Sequence, residues 1–515
     1  MYLRFNNVFI SIVLIVVGGA FSSCEKDAYD EDIVPVITPQ LTGMIFTADK
    51  NPLQLIDNHY CDIIGDSIVS CWIPYIVDNK KLVASFEYDG STLTLNDEHV
   101  ENGETSFDYG QPVTLKIYQE DKQKTYKVFV HSFTGLPVVW LDTEERKEIK
   151  SKDEYINAHI KLVEDNRTGE YGTFEGDVKV KGRGNSTWNY FPKKPYRLKF
   201  DSKQSLLGEP ADKSWILLAN YDDKTMVRNQ VAFYLSTISN LAYTPKFHYV
   251  ELMLNRRYHG TYMLGDKIKI APGRVNLDKH GILFEIDSWA ELENDASYFK
   301  VKNLTLPIAV KDPEYKETDS EFTEAAKFVT MADSVLYSDD FTDSEKGWRQ
   351  YFDINSLVDY YIINEIAKNL DAFYWSSTYM TWTPGGKIVM GPVWDFDFAF
   401  GNFIHLNCEN PEGFWTKDLG WYPRLFEDPS FVECVKERYE YFYHRKNDIM
   451  SFINKNCTYL KYAAQENEKR WGTFYKETYP WVDYNIWGPY QNEVIALKQW
   501  INDRMNWLKI ELNNI

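Results

Sequence analysis

The chain has 515 residues, of which 44% are hydrophobic and 26% charged, enough apolar material for several packed cores and too much for a globally disordered protein. Its formal net charge of −20 argues against general nucleic-acid binding, which needs a basic surface. Aromatic residues reach 16%, with 16 Trp and 36 Tyr, a content that suits surface-exposed binding proteins, sugar-stacking modules and large cores alike.

At the N-terminus, Arg4 precedes an apolar run over residues 8–21, and FSSC follows at 21–24. So short a run, with small residues before a cysteine, reads as a secretory signal and not as a membrane span. It resembles a bacterial lipobox, which implies a lipoprotein signal peptide over 1–24 and a lipidated N-terminus at Cys24. The acids that follow, Glu25, Asp27, Asp30, Glu31 and Asp32, resemble the tag by which some lipoproteins reach the outer face of the outer membrane. The expected localisation is a surface-exposed outer-membrane lipoprotein, anchored stably if more than one acyl chain is attached. The alternative is an ordinary cleaved signal with an incidental cysteine. Residues 25–40, acidic and with two prolines, read as a tether.

Residues 41–134 read as short strands separated by turns. The runs 68–73, 82–88, 113–118 and 125–131 have strand composition, and the last, TYKVFVH, alternates with period two. Asp89-Gly90, Asn102-Gly103 and Tyr109-Gly110 supply turn signals. Without any helical pattern, this spacing predicts an immunoglobulin-like β-sandwich acting as a spacer or docking module. Cys61 and Cys71 could pair in an oxidising compartment, whereas Cys408, Cys434 and Cys457 are scattered without zinc-finger spacing.

Gly135-Leu136-Pro137 marks a boundary, after which strand and helix patterns mix through residues 135–405. Strands are expected at 138–141, 158–162, 178–181, 196–200, 249–253 and 261–264. Helices are expected at 224–239, 322–336 and 354–368, the last with Val358, Ile362 and Ile366 every four residues and Asp353 or Asn355 as its cap. Residues 406–515 look largely helical. The fold class is α+β.

Two stretches carry chemistry. Residues 178–200 hold Lys179, Lys181, Arg183, Lys193, Lys194, Arg197 and Lys199 and no acid. The cations alternate with apolar residues on two strands, joined by a loop with Gly182, Gly184, Asn185, Ser186 and Thr187. Such a hairpin could hold phosphate through backbone N–H groups and cations, or be a solvated basic ribbon with surface partners. No GxxxxGK[ST] loop is present. Residues 390–402, MGPVWDFDFAFGN, read as a strand with Asp395 and Asp397 on one face and Phe396, Phe398 and Phe400 on the other. Paired carboxylates repel unless a proton or cation sits between them, and Mg²⁺ prefers such oxygen ligands. A plain amphipathic strand fits the same pattern.

The run RGNST-W…PKKPYRLKF, followed in order by NYDDKTMVRNQVA at 220–232, YVELMLNRRYHGTYMLGDK at 249–267, ILFEID at 282–287, Lys311–Pro313, NEIAKNLD at 364–371 and VWDFDFAFG at 393–401, strongly resembles the spore-coat protein H (CotH) kinase family. The resemblance spans about 136–402. It implies an atypical protein-kinase-like domain over 135–405 with a helical C-terminal part over 406–515. It also implies ATP and Mg²⁺ or Mn²⁺ as cofactors, and transfer of phosphate to protein Ser or Thr outside the cytoplasm. By that resemblance Asp371 is the catalytic carboxylate, with Asn369 beside it, and Asp395 and Asp397 are metal ligands. Arg183, Asn185 and Ser186 line the phosphate loop. Lys199, or Arg197 in its place, is the strand cation on the ATP phosphates. Arg228 orients nucleotide or metal ligands, and Asp266 leads into the adenine hinge. Two departures stand out: Asp266 is shorter than the Glu of relatives, and Ser376 lies five residues after Asp371, where kinases usually carry Asn. The alternative function is an inactive pseudokinase or a surface lipoprotein contacting glycan or protein.

Overall fold

The computed structural model describes residues 38–515, apart from 53, 56–57, 74–79, 133, 164–173, 293–295 and 479–482. The signal peptide, Cys24 and nearly all of the tether lie outside the described residues. No described helix is long and apolar enough to cross a membrane.

The described residues between 40 and 132 form strands and turns, with no helix among them. Period-two alternation sends Val113, Leu115 and Ile117 of one strand and Tyr126, Val128 and Val130 of its antiparallel neighbour into a common core. These strands are central in a six-stranded sheet, and a three-stranded and a two-stranded sheet complete the unit. The single run expected at 82–88 serves two sheets: Lys81–Val83 pairs with Ser106–Asp108, and after Ala84, Ser85–Asp89 pairs with Gln40–Phe46. Cys61 and Cys71 are both free thiols.

This unit docks on the next through rings. The Trp72 indole stacks on His131 at 4.6 Å and on Tyr258 at 3.9 Å. Arg256 lies 3.8 Å over the Tyr60 ring, and Arg257 faces Asp62 at 3.9 Å.

The second unit opens with a closed seven-stranded barrel: Val138–Thr143, Ile156–Val163, Phe174–Gly182, Tyr196–Gln204, Asp212–Leu218, Arg257–Asp266 and Phe247–Leu254, in that spatial order. Inward residues are apolar, among them Leu141, Ile160, Val180, Leu198, Leu217, Leu252 and Leu264, so the interior is packed core. A five-stranded sheet follows, with Ile282–Ile286 at its centre between Ile308–Asp312 and Thr378–Trp382.

The helices Arg228–Thr237, Ser320–Leu336, Ile354–Ala367, Pro429–His444, Lys446–Tyr459, Lys461–Trp471 and Tyr490–Asn514 share one large core with that sheet. Ile354–Ala367 is capped as expected, by the Asp353 carboxylate accepting from Ser356 N. It is buried on every side from Ser356 onward. It ends at Lys368 in the left-handed region (φ 47°), whose ammonium donates to the carbonyls of Asn407, Asn410 and Glu412. Those bonds fix where the chain emerges, three residues before Asp371.

The strand expected at 390–402 is only Val389–Met390. Asp395 has φ 62°, a left-handed conformation that ends any alternation. Phe396 and Phe400 are buried in the core, whereas Phe398 turns with the acids into a cleft.

Candidate active site

The turn after Met390 is held from three directions. Asn229, near the start of helix Arg228–Thr237, accepts from Phe396 N at 2.8 Å and donates to Asp397 Oδ1. The Phe400 N–H donates to Ala367 O at the end of the central helix. Gly401 (φ 69°) lies against Trp500, where a Cβ would meet the indole at 2.5 Å. The turn thus presents Asp395 and Asp397 on a rigid seat.

Asp371 follows the central helix. Its backbone N–H donates to Asn369 Oδ1 at 3.1 Å, and its carbonyl accepts from the N–H groups of Tyr374, Trp375 and Ser376. Asn369 therefore shapes this loop.

Opposite, Arg183 and Gly184 leave strand Phe174–Gly182, and Ser186–Tyr190 closes into one helical turn before the chain returns along Tyr196–Gln204. Gly184 (φ 81°) is needed here, since a Cβ would lie 2.4 Å from Thr187 Oγ1.

These elements face one cleft of about 530 Å³. Arg183, Asn185 and Ser186 line it together with Asp371, Asp395 and Asp397. Asp222, Glu285 and Asp287 add three acids and Lys311 a second cation, so six carboxylates meet two cations in the described lining. Lys311 is occupied by Glu285 at 3.1 Å and Asp287 at 3.6 Å, which leaves Arg183 as the cation facing the remaining acids.

Burial pushes the Asp371 and Asp397 carboxyls well above the usual carboxylate range, and the charges of neighbouring aspartates push the same way. Burial raises Asp395 as well, opposed by Arg183 and a Ser377 hydrogen bond. Asp222 is pushed up to about 7, chiefly by burial, with Asp395 and Asp223 adding to it.

The other residues singled out in the sequence sit elsewhere. Arg228 is buried, its guanidinium donating to Asp223 Oδ1 at 2.6 Å, Thr225 Oγ1 at 3.2 Å and Ala399 O at 3.2 Å, so it ties the helix start to the acidic turn. Asp266 is buried and accepts from Tyr243 Oη at 2.7 Å and Lys246 N at 3.2 Å, beside Arg274 at 3.3 Å. Lys199 lines a separate hollow on the barrel with Asp142, His159, Lys179 and Asp201. Arg197 opposes Lys181 across the strands, outside the cleft lining, and its Nε has no partner among the described residues.

The uniform basic ribbon expected at 178–200 is therefore split. Lys179 pairs with Asp201 at 3.0 Å, Lys194 donates to Trp188 O, and the fully buried Lys193 donates to Thr261 O and Asn467 Oδ1. Arg183 alone of the seven lines the cleft.

Asp222, Asn229, Glu285, Asp287, Lys311, Trp289, Trp375 and Ser377 line the cleft without having been assigned a role from sequence. The signal was present for several of them, since NYDDKTMVRN, ILFEID and Lys311–Pro313 are among the recognisable motifs.

The donor set suits a hard divalent cation that shares its shell with phosphate. Neither carboxylate oxygen of the buried Asp222 has a hydrogen-bond partner among the described residues. No three His, Cys, Asp or Glu among those residues are arranged to hold a metal by themselves. Mg²⁺ characteristically takes one or two carboxylates, waters and substrate phosphate oxygens, so a complete protein cage is not required.

A family model described as CotH kinase protein matches residues 180–508. No curated protein matches the chain. Among solved structures the chain is similar to a candidate glycoside hydrolase from Bacteroides thetaiotaomicron, with 12% identity and a TM-score of 0.16 over 53% of this chain and 66% of that one. The match thus spans just under two thirds of that protein's length.

Proposed function

The chain belongs to the CotH kinase family, and on that premise we propose that it is a surface-anchored atypical kinase moving the γ-phosphate of ATP to Ser or Thr of a protein. The observation that carries this reading is the shared cleft: the Arg183–Ser186 loop on one wall, Asp371, Asp395 and Asp397 on the other. Phosphoryl transfer asks little covalent chemistry of a protein, but it does require a charge-matched cradle and a carboxylate at the acceptor hydroxyl.

Arg183 and the polar groups of Asn185, Ser186 and Thr187 hold the phosphate tail. Asp395 and Asp397 would hold Mg²⁺ or Mn²⁺, which when bound supplies charge neutralisation to the phosphates. Asp371 orients the acceptor hydroxyl and takes its proton as that oxygen bonds to the γ-phosphorus and the bond to the β-phosphate oxygen breaks, releasing ADP. Arg228 and Asn229 keep the acidic turn in place. The N-terminal β unit, read as an immunoglobulin-like spacer, and a lipidated Cys24 would carry this cleft at the outer-membrane surface.

Purified protein with Mg²⁺ or Mn²⁺ and γ-labelled ATP should label itself or a co-purified surface protein, and Asp395→Ala should abolish labelling. No labelling together with no nucleotide binding would overturn the proposal. The inactive alternative draws on Ser376, a hydroxyl in the cleft lining where kinases usually carry an amide ligand. Stabilisation by a polysaccharide and not by Mg·ATP in a thermal-shift assay favours that alternative. Loss of membrane fractionation in Cys24→Ser tests the anchor.

A further inference from the structure

We infer that Asp222 is a cation ligand, so that the metal of this cleft is gripped from two elements at once: the loop ahead of helix Arg228–Thr237 and the acidic turn after Met390. The inference rests on the kinase reading for the identity of the ion and goes beyond it in the ligand.

Asp222 is 1% exposed, and both of its carboxylate oxygens lack a hydrogen-bond partner among the described residues. A buried carboxylate that meets no donor keeps its charge only where a cation reaches it, and otherwise takes up a proton. Cations close in sequence are turned away. The Arg228 guanidinium is committed to Asp223, Thr225 and Ala399. The Lys224 ammonium lies over the Tyr484 ring at 4.8 Å.

The approach of Asp222 to Asp397 is built into the backbone. A single amide, Asn402 Nδ2, donates to Asp222 O at 3.0 Å and to Asp397 O at 2.7 Å, stapling the two residues side by side. Asn229 holds Asp397 from the other side through Oδ1. Both aspartates line the cleft. Two buried acids whose backbones share one amide, one of them with a carboxylate that meets no donor among the described residues, offer the oxygen set of a hard cation.

The placement also answers the departure at Ser376. In protein kinases the second metal ligand is an Asn of the catalytic loop. Here that position offers only a hydroxyl, and Asp222 brings a carboxylate from the loop ahead of helix Arg228–Thr237.

The test titrates Mn²⁺ alone, without nucleotide, into wild-type protein and Asp222→Asn, following free Mn²⁺ by electron paramagnetic resonance and unfolding by thermal shift. The wild type should bind Mn²⁺ and melt at a higher temperature with it. Asp222→Asn should weaken Mn²⁺ binding at least tenfold and melt higher than the wild type when metal-free, because the unpaired charge is gone. Asp222→Ser serves as a second variant should the amide disturb folding. Undiminished Mn²⁺ binding in a folded variant overturns the Asp222 assignment and leaves the kinase reading intact. A wild type that binds neither Mn²⁺ nor Mg·ATP overturns both.

Discussion

In the helical scaffold, Glu365 and Arg504 are both fully buried and bonded to each other, and the Arg504 guanidinium also holds the carbonyls of Glu365, Pro411 and Gly413. Buried Asp359 is likewise met by Arg438 at 2.6 and 3.1 Å and by Asn240 N at 2.6 Å. In the cleft, Asp222, Asp371, Asp395 and Asp397 stand near one another with Arg183 as their one uncommitted cation in the described lining. Both regions bury charge. The first satisfies it within the chain and thereby gains rigidity; the second crowds acids around a single cation, and burial and mutual repulsion push their carboxyls up.

Substitutions should separate the two regions. The largest effect is expected at the cleft acids: Asp371→Asn or Asp395→Asn should lower kcat for phosphate transfer by about 10³-fold, with a melting temperature equal to or above that of the wild type. In the scaffold the pattern should invert. Arg504→Met takes the cation away from buried Glu365, leaving it only the N–H groups of Trp415 and Lys417, and should cost about 3–5 kcal/mol in urea unfolding.

A smaller effect is expected at Arg183, whose charge-assisted contacts to phosphate are worth about 1.5–3 kcal/mol. Arg183→Met should raise KM for ATP about 10- to 100-fold and leave unfolding unchanged. Smallest is a pH effect at the junction between the two units. His131 is pushed down to about 4, mainly by burial and further by Lys469 and Lys80. It stays neutral in the folded state while the unfolded chain takes up a proton near pH 6.5. The stabilisation it confers is therefore complete above about pH 6.5 and is lost as pH falls toward about 4. His131→Phe should flatten the dependence of urea midpoint on pH across that window.

Much of the architecture was legible from periodicity. The strand Val113–Gln119, six of the seven barrel strands and the helix Ile354–Ala367 with its Asp353 cap lie where the sequence put them, whereas the barrel strand Asp212–Leu218 was not anticipated. What failed did so for local reasons. The run 390–402 alternates like a strand, but a left-handed residue at Asp395 reverses its direction, and nothing in the pattern marks that. The cations of 178–200 look equivalent in sequence, yet tertiary partners distant in the chain, Thr261 and Asn467 for Lys193, remove them from the site one by one. Asp222 was hidden because its meaning lies in the partners it lacks, and a sequence does not display a missing hydrogen bond.

The most direct measurement is the calorimetric affinity for ATP with and without Mg²⁺ in the wild type, Arg183→Met and Asp395→Asn. A cleft built as described binds ATP tightly only with the metal, and each substitution weakens that binding at least tenfold. ATP binding that is absent, or indifferent to Mg²⁺ and to both residues, would contradict the account.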